Sequence, residues 1–81
     1  MRVTVRLFAR LRELAGAGEL ACDAPDGATV ADVWRRLVAD HPALAPYEAS
    51  MSCAVNADYA RMHTAVGDGD EVAFLPPVSG G

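Results

Sequence analysis

The stretch from Thr29 to Asp40 limits what this chain can fold into more than any other. Val30, Val33, Trp34, Leu37 and Val38 recur at i, i+3, i+4, i+7 and i+8, the spacing of one apolar helix face, while Arg35, Arg36 and Asp40 fall on the opposite face. Thr29 stands at the N-cap position with Asp32 three residues on, an acidic variant of the capping box, so the helix start is marked as clearly as its face. Pro42 prevents continuation, because the residue before a proline is pushed out of the helical region, and His41 lies where partial positive charge suits a helix C-terminal end. A helix with one apolar stripe has to bury it. The sequence holds no second helical pattern of this length, and its other apolar residues mostly alternate with period two, so the predicted partner is a sheet and Trp34 is the predicted plug of the core between them.

The strands follow from that alternation. Arg2 to Phe8 puts Val3, Val5 and Leu7 on one face and Arg2, Thr4, Arg6 and Phe8 on the other. Residues 9–15 have helical composition over about two turns, ended by Gly16 and Gly18. Glu19 to Asp23 reads as a strand with Leu20 and Cys22 inward, closed by the turn residues Pro25, Asp26 and Gly27. Residues 43–50 carry Pro46 and no clear period, and read as a loop with one short turn at most. Met51 to Val55 is strand-like, Asn56, Ala57 and Asp58 supply turn chemistry, and a short return follows near Tyr59 and Ala60. Asp68, Gly69 and Asp70 form a tight turn into Glu71 to Leu75, where Val72 and Phe74 share one face and Ala73 and Leu75 the other. The sum is an α+β roll: a mixed sheet with one main helix across one face, the other face partly wet. Parity places Phe8 and Leu75, two large apolar side chains, on that wet face, where they form a candidate docking patch.

Composition narrows the function classes. The 81 residues make one domain, and no apolar run approaches membrane-spanning length. The first residues alternate as structure does rather than as a signal peptide does, so a cytoplasmic location is expected. A net charge of −4, with seven arginines scattered among eleven acids, argues against a nucleic-acid partner. Cys22 and Cys53 stand far apart without metal-ligand or redox spacing and read as buried, unpaired thiols; His41 and His63 complete no catalytic or metal pattern. All seven basic side chains are arginine, which leaves no lysine at all. GC-rich codon usage explains that bias, but its chemical consequence is that no side-chain amine can attack an activated carboxyl.

The end of the chain is the working part. Pro76 and Pro77 remove two backbone donors and fix φ, so the sheet stops at Leu75 and the chain divides into a domain over residues 1–75 and a tail over 76–81. Six residues reach roughly 20 Å when extended. Gly80 and Gly81 carry no side chains, so the tip can thread a narrow channel and place a carboxylate at its bottom.

Leu7-Phe8-Ala9-Arg10-Leu11-Arg12-Glu13, Ala54-Val55-Asn56 and the ending from Asp68 through Phe74-Leu75-Pro76-Pro77-Val78-Ser79-Gly80-Gly81 resemble, correctly spaced over the whole chain, the ubiquitin-like sulfur carriers to which the small subunit of molybdopterin synthase belongs. The Pro-Pro before the diglycine ending separates that branch from the thiamine-pathway carriers. The resemblance implies a ubiquitin-like β-grasp fold. It implies that the Gly81 carboxylate is adenylated with ATP by a ubiquitin-activating-type adenylyltransferase and converted by a sulfur donor protein to a thiocarboxylate. That sulfur would then pass to cyclic pyranopterin phosphate inside the synthase large subunit, in a complex of two small and two large subunits. On this reading the chain binds no permanent cofactor or metal and is no enzyme on its own: Gly81, as carboxylate, acyl adenylate and thiocarboxylate, is its one catalytic position, and the remaining catalytic residues lie on the large subunit. Pro76, Pro77, Val78, Ser79 and Gly80 deliver Gly81. Phe8, Tyr59 and Leu75 match positions that pack on the large subunit, with Tyr59 standing where an aliphatic residue is common. Two other readings stay open: a sulfur carrier for another route, such as cysteine or thiolated-tRNA synthesis, or a ubiquitin-like protein modifier; and an interaction module whose tail is inert.

Overall fold

A computed structural model of the chain describes residues 1–77. Five strands and two helices follow in the order β1 (Arg2–Leu7), α1 (Ala9–Ala15), β2 (Glu19–Asp23), α2 (Val30–Asp40), β3 (Ser52–Val55), β4 (Asp58–Ala60) and β5 (Glu71–Leu75), with a 3₁₀ segment, Pro42–Tyr47, after α2. The strands form one mixed sheet in the order β2-β1-β5-β3-β4. β1 and β5 are parallel neighbours at its centre, with Val5 opposite Val72 and Leu7 opposite Phe74, and every other pairing is antiparallel.

The alternation predicted for β1 decides its faces: Val3, Val5 and Leu7 are buried, and Arg2, Thr4 and Arg6 point away. From β5, Val72 and Phe74 enter the same core. α2 lies over it with Val30, Val33, Trp34 and Leu37 buried, and Trp34 meets the Phe74 ring at 5.0 Å between centroids in a tilted arrangement. Among the described residues the indole Nε1 has no hydrogen-bond partner, a cost that the packing of a fully buried ring outweighs. The helix starts as its sequence requires: Asp32 N–H donates to Thr29 Oγ1, and Thr29 N–H donates back to the Asp32 carboxylate at 2.9 Å.

Three segments differ from expectation. Residues 42–47 form a 3₁₀ helix rather than a loop, because Leu44, fully buried against the core, fixes a stretch whose prolines disguise it. Gly16 alone caps α1, at φ +76; Gly18 packs where a Cβ would meet the Arg12 side chain at 3.2 Å. β1 ends at Leu7, and Phe8 becomes the N-cap of α1, yet its backbone stays extended (φ −126°, ψ 154°), so its side chain keeps the outward parity.

Candidate functional site

The strand that carries the tail is central, hydrogen-bonded to β1 on one side and β3 on the other up to its last residues. Leu75 and Pro76 are half-buried and Pro77 is exposed. Val78, Ser79, Gly80 and Gly81 lie outside the described residues. The base of the tail is therefore set by a strand paired on both sides.

Around that base the open face changes character. One row across it runs Glu19, Arg6, Ala73, Ala54, Tyr59, each the register partner of the next. Ala54 is 8% exposed although it lies outside the main core, so it forms a floor on the face opposite α2. Phe8, Tyr59 and Leu75 stand around that floor with Ala73 and Ala57, and Glu71 closes the shallow groove on its polar side. Phe8 is 39% exposed and Tyr59 87%. The three residues singled out from sequence as a docking patch thus share one groove beside the tail. Arg6 frames it: its guanidinium carbon lies 5.7 Å from the Phe8 ring centroid, and Nη1 is 3.7 Å from Glu71 Oε2. Arg6, Ala54 and Ala73 were not singled out beforehand; the signal was the period-two alternation itself, which places small residues between the large ones only once the strand order is known.

The opposite end of the face is polar and tightly hydrogen-bonded. Asn56 Nδ2 donates to Asp70 Oδ1 at 3.0 Å, Gly67 N–H to Asp70 Oδ2 at 2.7 Å, and Glu71 N–H to Asn56 Oδ1 at 2.9 Å, clamping the β3–β4 turn to the start of β5. The Asn56 amide, then the Gly67 N–H, hold the Asp70 carboxyl below its usual range. Cys22 and Cys53 are buried free thiols, and burial raises both above the ordinary cysteine value. Among the described residues no cluster of three His, Cys, Asp or Glu side chains is placed to hold a metal ion, and no helix is long and apolar enough to cross a membrane. The geometry can present a partner-facing apolar groove and a projecting tail.

A mixed five-stranded sheet grasping one helix, with a tail issuing from its central strand, defines a ubiquitin-like β-grasp protein. The sequence profile of the ThiS family matches residues 5–81, and the chain belongs to that family. It is 41% identical over 83 residues to the molybdopterin synthase sulfur carrier subunit of Chlamydomonas reinhardtii, with both chains fully covered. It is 38% identical to small archaeal modifier protein 1 of Haloferax volcanii, covering 94% of this chain and 97% of the relative. Among solved structures, the crystal structure of the small archaeal modifier SAMP1 from Haloferax volcanii matches with a TM-score of 0.88 at 34% identity over all of both chains. The complex of subunits 1 and 2 of the molybdopterin-converting factor from Helicobacter pylori contains a chain that matches with a TM-score of 0.69 at 26% identity, again over all of both chains.

Proposed function

We propose that the chain is the sulfur carrier of a molybdopterin synthase, delivering sulfur from Gly81 through its tail while the apolar groove holds the large subunit. The observation that carries this reading is the placement of Phe8, Tyr59 and Leu75 in one groove at the end of the sheet where Pro76 and Pro77 begin the tail. The full-length likeness to a molybdopterin synthase sulfur carrier subunit supports it. So does the likeness to a chain found in a complex of subunits 1 and 2 of a molybdopterin-converting factor, which favours a partner subunit as the occupant of the groove.

The chemistry starts from an unreactive group. A C-terminal carboxylate is ionised at neutral pH and is a poor acyl donor. A ubiquitin-activating-type adenylyltransferase joins it to the AMP moiety of ATP with release of pyrophosphate, which supplies the leaving group. Hydrosulfide-level sulfur supplied by a donor protein attacks the Gly81 carbonyl carbon, the bond to AMP breaks with AMP as the leaving group, the sulfur loses its proton, and a free thiocarboxylate results. In the large subunit that sulfur bonds to cyclic pyranopterin phosphate, water then cleaves the bond between the sulfur and the Gly81 carbonyl carbon, and Gly81 returns to a carboxylate. The domain's own part is positional: the groove fixes the body on its partner, and the tail brings one atom to the reaction centre. ATP is consumed by the activating enzyme and is not retained by the carrier.

Pyrophosphate exchange tests the first step. The chain lacking Gly81 is expected to fold, because the buried core is drawn from residues between Val3 and Phe74, but to support no exchange with ATP and a cognate activating enzyme. Equal exchange with and without Gly81 contradicts the carrier reading. The likeness to a small archaeal modifier protein favours one second reading, in which the same activated tail is joined to other proteins; recovery of the chain in amide linkage to another protein distinguishes it.

A further inference from the structure

We infer that the folded chain is inert toward its own activated C-terminus, so that the acyl group of Gly81 passes only to nucleophiles brought by another molecule. The inference rests on the proposed activation of Gly81 and concerns what happens immediately after it. An acyl adenylate or thioester is open to attack at its carbonyl carbon. An amine forms an amide, losing a proton and expelling AMP or thiol; a thiolate forms a new thioester by the same displacement. With a tail that reaches roughly 20 Å, such groups on the same chain or on a neighbouring copy are within range. A carrier that captured itself would be a covalent dead end.

Each strong nucleophile is missing or withheld. All seven basic side chains are arginine, whose guanidinium stays protonated and has no free amine lone pair, so the chain contains no side-chain amine. The amino group of Met1 is engaged within the fold: it donates to Ala24 O at 2.7 Å and lies 4.0 Å from Asp26 Oδ1, which fixes it at the β1 end away from Leu75, at the opposite end of the strand pair. Cys22 and Cys53 are 9% and 6% exposed. Cys53 Sγ donates to Ala60 O at 3.2 Å and Cys22 Sγ to Asp23 O at 3.7 Å, and burial keeps both as thiols rather than thiolates. His41 and His63 retain imidazole nitrogens, but an acyl-imidazole is cleaved by water and returns the carboxylate without joining the chain to itself. Hydroxyls without a neighbouring base attack too slowly to compete.

These features place a requirement on the next reaction. Whatever consumes the activated chain must bring its own nucleophile, either a sulfur nucleophile, which gives the thiocarboxylate, or the amine of a different protein. Linkage of this chain into polymers through its own side chains is chemically closed.

The test installs the activated group without any enzyme. The full chain is prepared as a Gly81 thioester of 2-mercaptoethanesulfonate, held at mildly alkaline pH, and followed by intact mass in buffer and in denaturant. In buffer the expected product is the hydrolysed carboxylate alone, while added free cysteine is acylated readily, which shows the thioester to be live. In denaturant the two thiols and the Met1 amine are exposed, and cyclised or dimeric products, lighter by the thiol with no water gained, form faster by on the order of tenfold or more. Self-acylation in buffer at the denatured rate overturns the inference. So does a denatured chain as inert as the folded one, since burial would then not be what withholds the nucleophiles. Failure of pyrophosphate exchange would count against activation at Gly81 alone and would leave the thioester result standing.

Discussion

Ala57 holds a backbone conformation that an L-residue adopts at a cost. It follows Asn56 in the two-residue connection between β3 and β4, and both have positive φ, +50 at Asn56 and +71 at Ala57. Asn56 is repaid through its hydrogen bonds to Asp70 and Glu71; Ala57 has no such return. Ala57→Gly is therefore expected to raise the urea midpoint with an unchanged slope, by about 0.5–1 kcal/mol once the greater freedom of glycine in the unfolded chain is subtracted. A lowered midpoint contradicts this reading of the turn. Ala9, at φ +49, turns the chain from β1 into α1 directly after Phe8. Phe8→Asp and Leu75→Asp place a charge in the proposed contact, and each is expected to weaken binding to a molybdopterin synthase large subunit by about tenfold or more, or roughly 1.4 kcal/mol. Because Phe8 is 39% exposed, its variant should unfold close to the parent midpoint. Normal calorimetric affinity in both variants would remove the groove from the interface.

At the scale of elements, two carboxylates serve as structural links. Asp32 is held below its ordinary value of 3.8 chiefly by the Thr29 backbone N–H, then by the Thr29 hydroxyl, and Asp70 is held below the same value by Asn56 and Gly67. A carboxyl whose pKa is lower in the folded chain contributes its stability fully above the unfolded value; that contribution is lost as pH falls through the unfolded value toward the folded one. Thermal unfolding across a pH series should show a steep loss below about pH 4. Asp32→Asn and Asp70→Asn should each flatten part of that loss while lowering stability at neutral pH, and an unchanged acid slope in both contradicts the assignment. The same helix shows what the sequence made legible. Its face, its cap and its stop were all written in local chemistry, as were the two faces of β1 and β5. The 3₁₀ segment was hidden because Pro42 and Pro46 read as breakers and its burial depends on a single residue, Leu44, that no period announces.

For the whole molecule, the decisive pairing joins residues far apart in the chain. Thr4 lies opposite Glu71, and Arg2 N–H donates to Asp68 Oδ1, so the first strand and the tail-bearing strand become parallel neighbours at the centre of the sheet. Alternation could assign Phe8 and Leu75 to one face, but only this pairing sets them side by side, and only the order β5-β3-β4 brings Tyr59 into the same groove. Alternation put Arg6 and Ala73 on the open face, but it could not set them in one row with Ala54, because that depends on which strands are adjacent. The resulting molecule fixes the base of a tail in its central strand and keeps an apolar face beside it, a form suited to handing one atom to a partner. The most direct measurement of that function is a single turnover with the chain bearing a Gly81 thiocarboxylate, a molybdopterin synthase large subunit and cyclic pyranopterin phosphate. Molybdopterin should form as Gly81 returns to a carboxylate. Persistence of the thiocarboxylate beside a large subunit that is active with another carrier would contradict it.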